Sequence, residues 1–174
     1  MLVSLPLYVF PLCMLAAAIS DIRKYIIPNS ISVALIAAFA IAFALSGLGW
    51  DVLLNHLLAG FGMLVIGLIM WHPDYTGYLG GGDVKLLTAA AFWLGWPLFG
   101  HALVYITLCG GLLAIGFLVA RLIVRWYPRI SLTIKPLAKL AATEKPALPY
   151  GVAIAVGAVY VFPQSSLFQA IVGS

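Results

Sequence analysis

The chain has 174 residues, of which 64% are hydrophobic and only 8% are charged, and its net charge is +4. Soluble domains carry about 25% charged and about 45 to 50% apolar residues, so a soluble globular fold is excluded. The length accommodates about six or seven helices that cross a bilayer core of roughly 30 Å and leaves no room for a separate soluble domain. We therefore expect a single transmembrane domain over residues 1–174.

Apolar runs bounded by charges, proline and glycine predict an all-α polytopic membrane protein with about six transmembrane helices. The first run lacks the basic segment of a signal peptide, so we expect it to be retained. The fourth and sixth runs are short; either they borrow length from their flanks or they lie tilted and partly buried by protein. Whether the sixth continues past Pro163 is left open. The predicted spans are residues 2–20, 30–47, 52–71, 84–96, 102–120 and 148–162.

Every basic residue falls in, or at the end of, alternate connections between these spans, with Lys85 at the end of the connection before the fourth span. The connections near residues 47–51 and 97–101 contain none. By the positive-inside rule, this asymmetry predicts that both termini lie outside and that the three basic connections are cytoplasmic. The longest connection, residues 121–146, also contains aromatic side chains and is expected to lie at the lipid surface. Topology thus explains the net charge, and no nucleic-acid partner is predicted. The basic residues are Arg23, Lys24, Lys85, Arg121, Arg125, Arg129, Lys135, Lys139 and Lys145.

Two of the five acidic residues, Asp21 and Asp83, are predicted at the cytoplasmic ends of the first and fourth spans, at one membrane depth. Two converging carboxyls, one ionised and one protonated, can hydrolyse a peptide bond with water. A glycine run at residues 80–82 precedes Asp83 and would let the backbone approach an extended substrate strand. Together with Gly77, this run is expected to form a mobile loop that substrate must order before the carboxyls share a proton.

Simpler interpretations of the same residues stay open at this point. Asp83 is also suited to capping the fourth helix, and Asp21 to pairing with Arg23 or Lys24 in water. Lys85 either extends to the membrane surface or supplies positive charge to Asp83. The other acids are expected to be ordinary solvated residues; they are Asp51, Asp74 and Glu144.

Histidine and cysteine give weaker signals. His56 lies inside the third span, where a hydrogen bond across helices is its expected role. Cys13 and Cys109 lie in apolar runs without CxxC spacing and are expected to be buried and inert. Because no acid–histidine or cysteine cluster with ligand spacing occurs, no metal or other cofactor is predicted. Glycines in the spans are expected to allow close helix packing; they are Gly60, Gly62, Gly67, Gly110, Gly111 and Gly116.

Three motifs, in chain order, resemble the prepilin peptidases, most closely the short form attached to tight-adherence (Flp-type) pilus systems. Residues 21–29 are similar to the family's first aspartate segment, and residues 80–85 match the GxGD signature that it shares with presenilin and signal peptide peptidase. Residues 148–155 resemble the Pro-aromatic-Gly segment that opens its last helix. The residues that carry the resemblance are Asp21, Pro28, Asn29, Gly80, Gly81, Gly82, Asp83, Lys85, Pro149, Tyr150 and Gly151.

The resemblance implies an aspartic endopeptidase of GxGD architecture in the plasma (inner) membrane, with Asp21 and Asp83 as catalytic residues. Its substrate would be a type IV prepilin or pseudopilin, whose basic leader is cut off at the cytoplasmic face beside an apolar helix. The lipid bilayer and the pilus assembly machinery are the further partners implied. Long members of the family carry a cysteine-tetrad domain and methylate the new N-terminus. Here the connection between the first two spans contains no cysteine, so no methyltransferase domain is expected.

Two other classes of function remain as alternatives. A small transporter or proton conductor would use Asp21, Asp83 and His56, although such carriers usually place ionisable groups at mid-membrane depth. A non-catalytic pilus-assembly factor would not need the two aspartates. Cleavage of a prepilin distinguishes the peptidase from both.

Overall fold

A computed structural model describes residues 5–74, 79–126 and 148–173, and every regular element in these ranges is helical. The predicted all-helical fold is thereby confirmed for the described residues. The helices are α1 (Leu5–Lys24), α2 (Asn29–Ser46), α3 (Trp50–Trp71), α4 (Gly81–Leu94), α5 (Trp96–Trp126), α6 (Tyr150–Val161) and α7 (Ser166–Val172), with a 3-10 turn at Phe162–Gln164.

Three of these helices, α2, α3 and α5, are long and apolar enough to cross a bilayer. Helix α6, the 3-10 turn and α7 together could form a fourth crossing, bent by 52°. The helical chain therefore continues past Pro163, which lies within the 3-10 turn, and the bend lies at the break between Gln164 and Ser166. The count of six spans and their sidedness stay predictions.

Helix α4 is enclosed by the rest of the protein. Its 14 residues extend about 21 Å at 1.5 Å per residue, which is less than a bilayer core. Ten of these residues are buried, so the short apolar run is covered by protein rather than lipid, one of the two options expected for it. Trp93 anchors it to α2, because its indole N–H donates to the Leu35 carbonyl at 2.9 Å.

Helix α5 begins earlier than expected. Residues 97–101, predicted as a loop, are helical, and only Gly95 separates α4 from α5. Gly95 has a φ of 74°, which ends α4 with a sharp turn. The Trp96 N–H is then capped by the Asn55 side-chain oxygen at 2.8 Å. Pro97 fits the first helical turn because amide groups there have no intrahelical acceptor.

Helix α5 also ends later than expected. Its 31 residues extend about 46 Å, longer than the roughly 30 Å bilayer core. The last turns, with Arg121 and Arg125, therefore carry basic side chains beyond the apolar part of the helix. The segment predicted to lie on the lipid surface from residue 121 is helical as far as Trp126; residues 127–147 lie outside the described ranges.

The expected close packing at glycines is confirmed at four of six positions. At Gly60, Gly62, Gly67 and Gly110, an added Cβ would lie 2.4–3.2 Å from a side chain of another helix. At Gly111 and Gly116 no atom of the described residues lies within 4 Å of an added Cβ, so close packing is not found there in the described part of the chain. These two glycines are on the outer side of α5, where the apolar run alone does not reveal which face meets protein.

Candidate active site

The candidate site lies where four helix ends meet at one end of the bundle: the end of α1 and the beginnings of α2, α4 and α6. Three contacts define this junction. The Gly151 amide of α6 donates to Asp21 of α1. The Lys85 ammonium of α4 donates to Asn29 of α2 at 2.8 Å. Gly82 of α4 lies against Ile27, in the turn between α1 and α2.

Asp21, in the last turn of α1, is buried, with only 6% of its surface exposed. Its Oδ2 accepts the Gly151 N–H at 2.7 Å. That amide is in the first turn of α6, where N–H groups lack intrahelical acceptors and the helix dipole favours a negative group. The alternative of a solvated ion pair with Arg23 or Lys24 is wrong, since Asp21 is buried and makes no salt bridge within the described residues.

Gly151 must be a glycine for this contact. A Cβ at this position would lie 2.8 Å from Oδ2 of Asp21 and 3.1 Å from Cδ1 of Ile27. The preceding Tyr150 is packed on Gly110 of α5 with similar closeness. The segment at residues 149–151 therefore begins α6, fixes its direction and presents one amide to the aspartate.

The turn after α1 brings Ile27 into the site. Tyr25 adopts a left-handed backbone with φ 53°, and its N–H still bonds the Asp21 carbonyl at 2.8 Å. The Ser20 hydroxyl donates to the Ile26 carbonyl at 2.7 Å. Pro28, extended at ψ 138°, then begins α2 at Asn29. The chain thus reverses within four residues. This turn places Ile27, which is 7% exposed, against both Gly82 and Gly151.

Asp83 occupies the third position of α4, and its carboxyl accepts a hydrogen bond from the Gly80 backbone. This is the carboxylate half of a capping box, in which a residue of the first turn bonds back to the N-cap amide. The capping alternative is thus correct in part, although the N-cap residue is Gly80. A Cβ on Gly80 would lie 2.9 Å from Oδ2 of Asp83, so glycine makes room for the folded-back carboxyl.

The glycine run at residues 80–82 is not a loop in the structure. Gly81 and Gly82 form the first turn of α4, and neither has a positive φ. Gly82 is needed for close approach, because an added Cβ would lie 3.2 Å from Cβ of Ile27. Gly77 lies outside the described residues, and the expected mobility stays a prediction.

Of the two roles expected for Lys85, the structure does not support an ion pair with Asp83, and extension to the membrane surface stays a prediction. The lysine ammonium bonds Asn29 at the edge of the site, and within the described residues it forms no salt bridge with Asp83. The lysine therefore links α4 to α2 rather than neutralising the carboxyl.

Asp21 and Asp83 face a common cavity of about 370 Å³. Its wall combines the turn after α1, the first residue of α2 and the start of α4. Besides the two aspartates, the residues that line it are Tyr25, Ile26, Ile27, Asn29, Gly80, Gly81, Gly82 and Lys85.

The two carboxyls differ electrostatically, although both lie just outside the predicted apolar spans 2–20 and 84–96. Burial, followed by the negative charge of Asp21, raises the pKa of Asp83 to about 6, and the Gly80 hydrogen bond opposes this shift. Burial also raises the pKa of Asp21, against the Gly151 hydrogen bond. Since two like charges in one cavity do not ionise independently, the pair retains a proton more readily than an isolated carboxyl.

His56 belongs to a different part of the molecule. Its Nδ1 bonds the Phe92 carbonyl at 2.8 Å and its Nε2 bonds the Ser166 hydroxyl at 2.9 Å. A carbonyl only accepts, so Nδ1 carries the proton and a neutral ring accepts from Ser166 at Nε2. The predicted hydrogen bond across helices is confirmed. Phe92 lies nine residues beyond Asp83 on α4, about 14 Å along the axis, so His56 is remote from the cavity.

The remaining predicted residues are peripheral. Asp51 and Asp74 are exposed, as expected, and Asp74 lies 3.7 Å from His72. Glu144 lies outside the described ranges. Cys13 and Cys109 are free and only partly buried, so the expectation of full burial was wrong. An apolar helix of this bundle also has a side that faces away from the protein core.

Three residues of the cavity wall, Tyr25, Ile26 and Ile27, were not assigned to the site by sequence reasoning, although Ile27 belongs to the segment at residues 21–29. Ile27 is an ordinary apolar residue, and its contacts with Gly82 and Gly151 arise from tertiary packing. The only available signal was its position between Asp21 and Pro28. Nothing in the sequence indicates that Tyr25 adopts a left-handed conformation, which is usual only for glycine and asparagine.

Comparison with known families agrees with this arrangement. A family model described as the type IV leader peptidase family matches residues 8–119. The chain belongs to this family. It is therefore a peptidase, a hydrolase embedded in a membrane, and a prepilin-type protein is its substrate class. The match includes Asp21 and Asp83 but ends before Gly151. No curated protein and no solved structure matches the chain significantly.

Proposed function

We propose that this type IV leader peptidase is an aspartic endopeptidase that cleaves the basic leader from Flp-type prepilins or pseudopilins at the cytoplasmic face of the inner membrane. Asp21 and Asp83 form the catalytic pair. The observation that carries the proposal is their convergence on one cavity, where burial and the charge of Asp21 raise the pKa of Asp83 to about 6.

The two carboxyls have different roles in the first step. Asp21, whose Oδ2 is held by the Gly151 amide, is the ionised member and removes a proton from water. The water oxygen attacks the scissile carbonyl carbon, while protonated Asp83 gives its proton to the carbonyl oxygen. When the tetrahedral intermediate collapses, the C–N bond breaks and the leaving nitrogen takes the proton from Asp21. The oxygen proton returns to Asp83, so the pair regains its starting state.

Substrate recognition depends mainly on the apolar helix of the pilin. The leader is basic and so is the predicted cytoplasmic side of the peptidase, so long-range attraction does not favour their encounter. Packing of the pilin helix against the bundle within the bilayer places the scissile bond beside the cavity. The proposed activity is endoproteolysis without methylation of the new N-terminus.

Cleavage by purified protein tests the proposal. The peptidase, reconstituted in liposomes, is mixed with a purified prepilin, and mass spectrometry identifies the products. We expect one cut between leader and apolar helix, at the same rate in a chelator. The exposed variant Asp74→Asn is the matched control and should cut normally. An intact prepilin after long incubation would favour a transporter or assembly factor, and loss of cleavage in chelator that zinc restores would contradict the aspartic mechanism.

A further inference from the structure

Tyr25 is held in a conformation that its side chain disfavours. Among the described residues it is the one non-glycine residue with positive φ, at 53°. It follows the last residue of α1, at the C′ position, where glycine is most common because a Cβ is crowded in the left-handed region. Glycine would end the helix equally well at lower steric cost, so the backbone alone does not account for a tyrosine.

The tyrosine side chain is placed on the wall of the catalytic cavity. It is 45% exposed and lines the same cavity as Asp21 and Asp83. The bond from Ser20 to the Ile26 carbonyl and the rigid Pro28 brace the turn on either side of it. The strained turn therefore presents an aromatic ring to whatever occupies the cavity.

The charges around the ring limit what it can bind. Arg23 and Lys24 precede it, and among the described residues that line the cavity the only acids are Asp21 and Asp83. A further carboxylate here would raise the pKa values of the catalytic pair by like-charge repulsion. An aromatic face attracts a cation through its quadrupole and adds no net charge. A tyrosine can thus hold a basic group without disturbing the aspartates.

We propose that Tyr25 is a substrate-binding residue whose ring face holds a Lys or Arg side chain of the leader. This inference rests on the proposed function. Tyr25 follows Asp21 at the polar end of α1, away from the apolar residues of that helix, so it lies on the leader side of the scissile bond. The tyrosine ring gives a basic leader a short-range contact on a surface that does not attract the leader at long range. The competing explanation is an aromatic residue that merely anchors the helix end at the membrane surface.

Steady-state kinetics with two substrates separates these explanations. The substrates are a prepilin with its natural basic leader and the same prepilin with leader Lys and Arg changed to Gln. Tyr25→Leu should raise KM for the basic leader roughly three- to fivefold, as expected for an exposed cation–π contact, and leave kcat within about twofold. KM for the neutral leader should not change. Tyr25→Phe, which keeps the ring, should rescue binding of the basic leader.

Two further variants complete the experiment. Tyr8→Leu removes an exposed tyrosine from the opposite half of α1 and should leave both KM values at the wild-type level. Tyr25→Gly should raise the melting temperature while showing the same KM defect as Tyr25→Leu, because glycine relieves the strain but lacks the ring. Glycine adopts the left-handed backbone of this position without strain. If Tyr25→Leu folds poorly, the KM values of Tyr25→Gly therefore still test the proposal.

The results that overturn the inference are specific. Equal KM values for wild type, Tyr25→Leu and Tyr25→Gly would show that the ring binds no leader residue. An equal loss with both leaders would show that its role does not depend on leader charge. If the wild-type protein cleaves neither substrate, the proposed function itself fails, and that result is distinct from a normal enzyme insensitive to Tyr25.

Discussion

The carboxyls of Asp21 and Asp83 are each held by an amide at a helix N-terminus, but the two amides come from different places. Asp83 is bonded to Gly80, at the beginning of its own helix. Asp21 is bonded to Gly151, 130 residues away in sequence. The position of Asp83 is therefore set locally, whereas the position of Asp21 depends on how α6 packs against α1.

Replacement of Gly151 tests this dependence. In Gly151→Ala the new Cβ would lie 2.8 Å from Oδ2 of Asp21, so either the carboxyl or α6 must move. Because a small displacement of a reacting group can cost roughly 100-fold in rate, we expect prepilin cleavage to fall at least tenfold. Gly111→Ala, which adds a methyl group to open space on α5, is the control and should cleave normally. Wild-type cleavage by Gly151→Ala would show that the amide contact is not needed.

The pH dependence should reveal the shared proton. The folded-state pKa of Asp83 is raised to about 6, so its protonated form is present below that pH and is lost above it. We expect kcat/KM, which reports the free enzyme, to fall about tenfold per pH unit above the alkaline pKa. Bound substrate should exclude water from the cavity and favour the protonated form of Asp83 further. The fall in kcat should therefore begin at a higher pH than the fall in kcat/KM. A kcat/KM profile that is flat from pH 5 to pH 8 would contradict a catalytic proton on Asp83.

The same shift has a defined sign for stability. An unfolded Asp has a pKa of about 3.9, and the folded value for Asp83 is higher. The folded protein therefore binds the proton more tightly, and this contribution is fully present below about pH 4 and lost as pH rises through about 6. Conditions that stabilise the protonated pair also stabilise the fold.

At the residue scale, the two aspartates could be predicted because carboxyls are rare in so apolar a chain and need a reason to be there. The residues that hold and surround these two aspartates could not be predicted. The Gly151 contact depends on tertiary packing, and the left-handed backbone of Tyr25 contradicts the usual preference for glycine at a helix end. Local sequence preferences identify reactive groups more readily than the neutral residues that hold them.

Among the elements, the junction between α4 and the turn after α1 is a close contact between the parts of the chain that carry Asp83 and Asp21. Gly82 and Ile27 form this junction. Gly82 is helical, so Gly82→Val would not act mainly by restricting a loop. We expect this variant to lose cleavage because valine would push against Ile27 and separate α4 from α1.

A double variant distinguishes the two reasons for that loss. If crowding is the cause, Ile27→Ala should restore part of the cleavage that Gly82→Val removes, although Ile27→Ala alone lowers activity or stability. If backbone freedom is the cause, the second change should bring no recovery. The measurement is the cleavage rate of each single variant and of the pair, with the melting temperature of each recorded in parallel. Gly77→Ala is expected to have a milder effect than Gly82→Val.

Helix boundaries show where sequence patterns are insufficient. Residues 97–101 were predicted as a loop, yet only Gly95 makes the turn, and Pro97 lies in the first turn of α5. Apolar periodicity also ended α5 at residue 120, whereas backbone hydrogen bonding continues it through Trp126. A proline or a basic residue changes the cost of a helix only at particular positions, and the sequence alone does not reveal those positions.

For the whole molecule, the meeting of four helix ends beside one cavity implies that the end of the bundle with Asp21 and Asp83 faces a single side of the membrane. The basic asymmetry of the sequence predicts that this side is cytoplasmic. Single cysteines introduced at Gly49 and Ser174, in a background without Cys13 and Cys109, should react with an impermeant reagent from outside. A cysteine at Lys139 should react only after the membrane is opened. The reverse pattern would put the cavity on the wrong side for a cytoplasmic leader.

Single-turnover cleavage of prepilin by Asp21→Asn, Asp83→Asn and the double variant tests most directly whether Asp21 and Asp83 act as one catalytic unit. An amide cannot exchange the required proton, so we expect each single change to reduce the rate by about 1,000-fold or more. Because residues that act together are strongly non-additive, the double variant should be no slower than the slower single variant. All three should insert and fold like the wild type. Substantial cleavage by either single variant, or losses that multiply in the double variant, would contradict the shared mechanism.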